Sequence, residues 1–111
     1  MTLPNAQWDF DGNGFQGPLN ISVDSGGNVT GSCITNKITG FWDEVGKKIT
    51  FIRVIDPGKP EMNQVYTGFY FTNGQPTNTI HTLTGYFEAF QGTNATAKRN
   101  LFGWHARYPR T

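Results

Sequence analysis

Leu19-Asn20-Ile21-Ser22-Val23-Asp24-Ser25-Gly26-Gly27-Asn28-Val29-Thr30-Gly31-Ser32-Cys33-Ile34-Thr35 carries the pattern of two strands joined by a turn. Leu19, Ile21 and Val23 alternate with Asn20, Ser22 and Asp24. A period of two puts apolar side chains on one face of an extended strand and polar ones on the other. The run stops at Ser25-Gly26-Gly27-Asn28, which reads as a hairpin turn, and a second strand is expected from Val29 to Thr35.

Working outward, the same reading predicts strands at Gln7 to Phe10, Ile38 to Val45, Lys48 to Ile55, Val65 to Thr72, Thr79 to Phe90 and Asn100 to Tyr108. Together with the first pair this makes eight. The separators Val45-Gly46-Lys47, Asp56 to Asn63, Asn73 to Asn78 and Gln91 to Arg99 carry the Gly, Pro and Asn of turns. No helix longer than about a turn is expected. With 111 residues there is room for one hydrophobic core, so 1–111 is read as a single domain.

An apolar-Thr-Gly motif recurs at Val29-Thr30-Gly31, Ile38-Thr39-Gly40, Tyr66-Thr67-Gly68 and Leu83-Thr84-Gly85, with a looser copy at Leu101-Phe102-Gly103. Glycine weakens a strand, so its repetition predicts bending or close backbone approach, as in a coiled barrel. The fold expected is therefore all-β, a closed antiparallel barrel, with an open sandwich bearing glycine bulges as the alternative. Ile49, Phe51 and Ile55 share one side of a strand whose other side carries Ile52 and Val54. Apolar residues on both faces predict barrels packed on one another, a homo-oligomer of two or four copies.

Nine basic and eight acidic side chains leave a net charge of +1, too little to hold a polyanion, so no nucleic-acid partner is expected. The basic bias at Lys98, Arg99, Arg107 and Arg110 reads as a solvated end of the chain. Cys33 stands alone, which rules out an internal disulfide, and no run of about 18 apolar residues offers a membrane-spanning helix. Met1 to Gln7 lacks the pattern of a signal sequence, which suits an intracellular protein or one whose leader was removed. Glycosylation-type triplets begin at Asn20, Asn28 and Asn94, as chance allows in a chain rich in Asn and Thr.

Catalytic groupings are sparse. Asp9-Phe10-Asp11-Gly12-Asn13-Gly14 opens like a calcium loop, but its twelfth position is Asn20 rather than Glu, so a plain turn is expected. Asp43 and Glu44 are neighbours that face opposite sides of a strand. His81 and His105 have no zinc spacing, phosphate loop or nucleophile elbow beside them, and Cys33 with His105 is the one nucleophile and base pairing worth naming. Neither an enzyme nor a cofactor is expected. An eight-stranded barrel does have an interior able to admit a small ligand, walled by aromatic residues.

Trp8, then Gly17-Pro18-Leu19-Asn20-Ile21-Ser22-Val23, then Gly27 to Thr35 resemble the first three strands of the avidin and streptavidin family. Tyr66-Thr67-Gly68-Phe69-Tyr70 and Leu101-Phe102-Gly103-Trp104-His105 resemble later strands of that family, so the likeness spans most of the chain. It implies an up-and-down eight-stranded barrel with a pocket for biotin. Position by position, that pocket falls on Cys33, Thr35, Arg53, Tyr66, Phe87 and His105. Thr35 keeps a hydroxyl, and Tyr66 and Phe87 keep aromatic character. Cys33 replaces a hydroxyl, Gly17 and Pro18 cover a stretch where a hydroxyl donor is expected, Arg53 replaces an aromatic wall, and His105 replaces a carboxylate or amide. Each unmade hydrogen bond to a buried ureido group costs about 1–3 kcal/mol, so biotin or a biotin-like ligand is expected to bind weakly. Arg53 would favour an anionic ligand. The loop Thr93 to Lys98 lacks the tryptophan that, in the family, reaches a neighbouring pocket. The alternative reading is a carbohydrate-binding, lectin-like module in which exposed Trp and Tyr stack on sugars.

Overall fold

All eight expected runs are strands. The computed structural model describes residues 2–91 and 98–109. Its strands are β1 (Ala6–Gly12), β2 (Phe15–Val23), β3 (Asn28–Cys33), β4 (Asn36–Asp43), β5 (Lys48–Arg53), β6 (Gln64–Thr72), β7 (His81–Gln91) and β8 (Lys98–Tyr108), with one short 3-10 turn at Pro60–Met62. Each strand pairs antiparallel with the next, and β1 pairs with β8, so the sheet closes into an up-and-down barrel rather than an open sandwich. Closure leaves no strand edge free to recruit another chain.

The hairpin chemistry is local. Asn13 and Gly14 both have positive φ, 52° and 88°, which is the backbone of a two-residue turn suited to twisted strands. Gly14 N donates to Asp11 Oδ1 at 3.0 Å. The stretch that opens like a calcium loop is thus strand and hairpin. At the next turn Asp24 Oδ1 accepts from Gly26 N and Asn28 N, each at 2.9 Å. These side-chain bonds replace ladder bonds that the turning backbone cannot make.

Inward positions are apolar, with seven aromatic rings among them, and they fill the barrel. Phe51, Tyr66 and Phe87 are opposite one another on β5, β6 and β7. Their rings stack in succession, with centroids 4.7 Å and 4.6 Å apart. The repeated glycines make room for this density. A Cβ at Gly68 would lie 2.4 Å from Trp104 Cζ2, and one at Gly85 would lie 2.0 Å from the Thr67 carbonyl oxygen. Trp104 therefore lies across the two paired glycines, and its Nε1 donates to Thr67 O at 3.0 Å and Tyr86 O at 3.1 Å. The alternation of large and small inward residues meets the need of a narrow barrel.

Most strand ends differ from the sequence reading by a few residues, β4 for example running Asn36–Asp43 instead of Ile38 to Val45, and two of the differences bear on the site. β3 stops at Cys33 because Ile34 adopts φ 57° and its N–H donates to Pro18 O at 2.7 Å. Thr35 consequently sits exposed in the turn instead of continuing the alternation. β5 ends at Arg53, leaving Val54 and Ile55 beyond the strand. The triplet at Asn94, the loop Thr93 to Lys98 and Arg110 of the basic cluster fall, wholly or in part, outside the described residues.

Candidate ligand site at the Arg53 mouth

The two ends of the barrel are chemically distinct. At one end, the close of β1, β3, β5 and β7 and the start of β2, β6 and β8 surround a recess of about 360 Å³, lined by Gly12, Phe15, Ile34, Arg53, Gln64, Phe87, Ala89 and Phe102, with Asn13 at its edge. Its size falls in the range of small-molecule sites, which are mainly apolar with a few placed polar groups. Phe87, the last ring of the Phe51–Tyr66–Phe87 stack, lines the recess, and Phe102 lies 5.4 Å from it. The barrel below this level is packed with buried side chains, which leaves space for a small molecule at the mouth and not at the centre.

The polar groups of this mouth form one directional network. Arg53 Nε donates to Asn36 Oδ1 at 2.8 Å, and Arg53 Nη1 donates to the Tyr66 hydroxyl at 3.1 Å. The Tyr66 hydroxyl in turn donates to Gln64 Oε1 at 2.7 Å. Arginine has donors only, so each link fixes the next. Burial pushes the Tyr66 hydroxyl up to about 12, with Arg53 partly opposing the shift. Burial likewise raises the Cys33 thiol to about 11, again against the pull of Arg53, and Cys33 stays a neutral thiol at ordinary pH. A neutral, fully buried thiol is a packing group and a poor nucleophile.

Arg53 is half-buried and, among the described residues, pairs with no carboxylate; the ion pair present is Lys47–Glu44 at the opposite end. Residues 92–97, Gly-Thr-Asn-Ala-Thr-Ala, contain no acidic side chain either. Arg99, another basic group near this end, directs its guanidinium to the carbonyl oxygens of Asn63 and Glu61, at 3.0 and 3.3 Å.

At the opposite end the chain's own residues fill the mouth. Leu3 is buried against the core. Glu44 accepts from Thr2 N and Trp42 Nε1, both at 2.8 Å, from the Thr2 hydroxyl, and from Lys47 Nζ at 2.5 Å. Lys47 above all, then Thr2 and Trp42, hold the Glu44 carboxyl far below the usual carboxylate range. His81 Nδ1 and the Tyr70 hydroxyl are hydrogen-bonded at 2.6 Å, and the imidazole stacks on the rings of Tyr70 and Tyr108. Trp8 Nε1, buried near the His81 and Tyr108 rings, is the donor here without a hydrogen-bond partner among the described residues.

Of the six positions singled out from the sequence, Cys33, Arg53, Tyr66 and Phe87 point into the barrel at the Arg53 mouth. Thr35 and His105 do not join them. Thr35 lines a separate groove with Lys37, Val54 and Pro57. His105 lies between inward-facing Trp104 and Ala106, so strand alternation turns it outward, where it sits opposite Asp11 and Thr84. The same geometry separates His105 from Cys33, which face opposite sides of the barrel wall. The sequence reading missed Gln64, Phe102, Ala89 and Ile34. Gln64, Phe102 and Ala89 each stand two residues from an inward aromatic, Tyr66, Trp104 and Phe87, so parity alone identifies them; Ile34 needed the turn geometry.

The described residues thus form a filled, closed, eight-stranded up-and-down barrel with a recess at the Arg53 mouth. Comparison with known proteins gave no matching family model, no matching curated protein and no matching solved structure.

Proposed function

We propose that this protein is a non-enzymatic, small-ligand-binding barrel of avidin-like type that takes its ligand at the Arg53 mouth. The observation that carries this reading is the apolar recess with a half-buried guanidinium held by Asn36 and Tyr66 and without a counter-ion among the described residues. Support also comes from the resemblance to avidins, because four of the six positions it indicated meet at this mouth. Biotin is the first ligand to test, and its affinity is expected to be weak. Cys33 and Arg53 stand where the resemblance requires a hydroxyl and an aromatic wall, and the ring stack fills the depth that a ureido head would need.

A thermal-shift screen with biotin, biotin analogues, small anions and sugars tests the reading, since a ligand of the folded state raises the melting temperature by mass action. The expected result is a shift with a small amphipathic ligand that disappears when Ala89→Leu fills the recess. A shift confined to sugars and unchanged in that variant overturns it. The carbohydrate reading is weakened by the burial of Trp8, Trp42 and Trp104, which leaves no tryptophan to stack on a sugar.

The proposal includes self-association. Phe41, Ile52, Phe69, Tyr86 and Leu101 are exposed on the outer face between β4 and β8, more apolar surface than an isolated barrel usually shows water. Light scattering is expected to give a multiple of 12.4 kDa at micromolar concentration, and the monomer mass contradicts it.

A further inference from the structure

The polar groups that the Arg53 network leaves free are donors. Asn36 and Gln64 spend their amide oxygens on Arg53 and Tyr66, so their NH2 groups remain, together with the unused N–H bonds of Arg53. None of these has a partner among the described residues. The Tyr66 hydroxyl, the one group able to donate or accept, is engaged in both senses. Around these donors stand Phe87, Phe102, Phe15, Ile34 and Ala89. The recess therefore offers one positive charge, the unused N–H donors of Arg53 and Gln64, and the Asn13 amide, within an apolar cup.

From this geometry we infer that the ligand is an apolar monocarboxylic acid, bound with its carboxylate on Arg53 and the Gln64 amide and its hydrocarbon body against Phe87, Phe102 and Ile34. The inference rests on the reading of this mouth as the ligand site. Three considerations select that class. A half-buried cation without a counter-ion keeps part of its desolvation cost uncompensated, and a carboxylate offsets it through charge-assisted bonds to a planar fork. A doubly charged phosphate would carry a second negative charge that no second cationic side chain answers, because among the described residues lining the recess Arg53 is the one cation. A neutral cyclic urea brings no negative charge to answer the Arg53 guanidinium. The volume of about 360 Å³ admits roughly a dozen water-sized groups, which suits a medium-chain or arene acid better than a long-chain one.

Isothermal titration of the full chain at pH 7 with octanoate and with octanamide, which share a hydrocarbon body and differ in charge, tests the inference without any mutation. Octanoate is expected to bind at least about tenfold more tightly than octanamide, a difference of ~1.4 kcal/mol, and inorganic phosphate to bind more weakly than octanoate. In Arg53→Gln the ratio of acid to amide should fall to about one, and in Arg53→Lys part of the preference should return. Equal binding of octanoate and octanamide by the unmodified protein overturns the carboxylate assignment and leaves the mouth as a neutral-ligand site. Binding of phosphate as tight as that of octanoate overturns it as well. If neither octanoate nor octanamide binds at millimolar concentration, and the thermal-shift screen is blank too, the reading of the mouth as a ligand site falls with it.

Discussion

The two mouths of the barrel are built from the same kinds of residue and come to opposite ends. At the Glu44 mouth an aliphatic residue from the N-terminal segment, Leu3, is buried in the core, and one carboxylate gathers two backbone or hydroxyl donors, an indole and an ammonium. Charge is neutralised and the space is filled from within the chain. At the Arg53 mouth the charge has the other sign, its partners are neutral, and an apolar recess remains above the ring stack. The difference teaches that a barrel end becomes a plug or a site according to whether the chain itself supplies the balancing charge and the last apolar side chain.

Changes at the Glu44 mouth should act on stability alone, and changes at the Arg53 mouth should act on binding. The largest effect is expected from Leu3→Ala, which removes a buried aliphatic side chain and should cost about 2–4 kcal/mol in urea unfolding while leaving ligand affinity unchanged. An affinity loss in that variant would erase the distinction between the two ends. A smaller effect is expected from Tyr66→Phe. It strips Arg53 and Gln64 of a buried partner, at about 1–2 kcal/mol, and unlike Leu3→Ala it should also weaken ligand binding, because Arg53 loses the hydroxyl that orients it. Full retention of affinity would show that Arg53 is not positioned through Tyr66.

The mildest test is acid titration. The folded carboxyl of Glu44 is held below its ordinary range by Lys47, Thr2 and Trp42, so its contribution is present above about pH 4 and is lost as pH falls below it. Asp24 and Asp11 are shifted in the same direction, by Asn28 and by Gln16 respectively. The urea midpoint should therefore decline from about pH 4 downward, and Glu44→Gln should flatten part of that decline. An unchanged profile in Glu44→Gln would show that the Glu44 cluster does not contribute to the plug.

Much of this organisation is legible in the amino-acid sequence. Period-two runs located every strand, and the glycine repeat pointed to the crowding that Gly68 and Gly85 relieve under Trp104. The site was legible only as far as strand parity could be counted. Tyr66 and Phe87 lie within unbroken runs, and their inward direction follows once one neighbour is known. Thr35 was misplaced because the left-handed turn at Ile34 breaks the count, and nothing in the residue type announces that φ. His105 was misplaced because resemblance to a motif does not fix which of Trp104 and His105 faces in; burying the larger apolar ring decides it. The Glu44 plug was invisible because Thr2 and Glu44 meet only when the barrel closes.

The central claim, that the ligand enters at the Arg53 mouth, is tested most directly by nuclear magnetic resonance mapping of backbone amides during an octanoate titration. Shifts are expected to concentrate at Gly12, Ile34, Arg53, Gln64, Ala89 and Phe102, with the amides of Leu3, Glu44, Tyr70 and His81 unmoved. Shifts concentrated around Glu44 and His81 instead would contradict it.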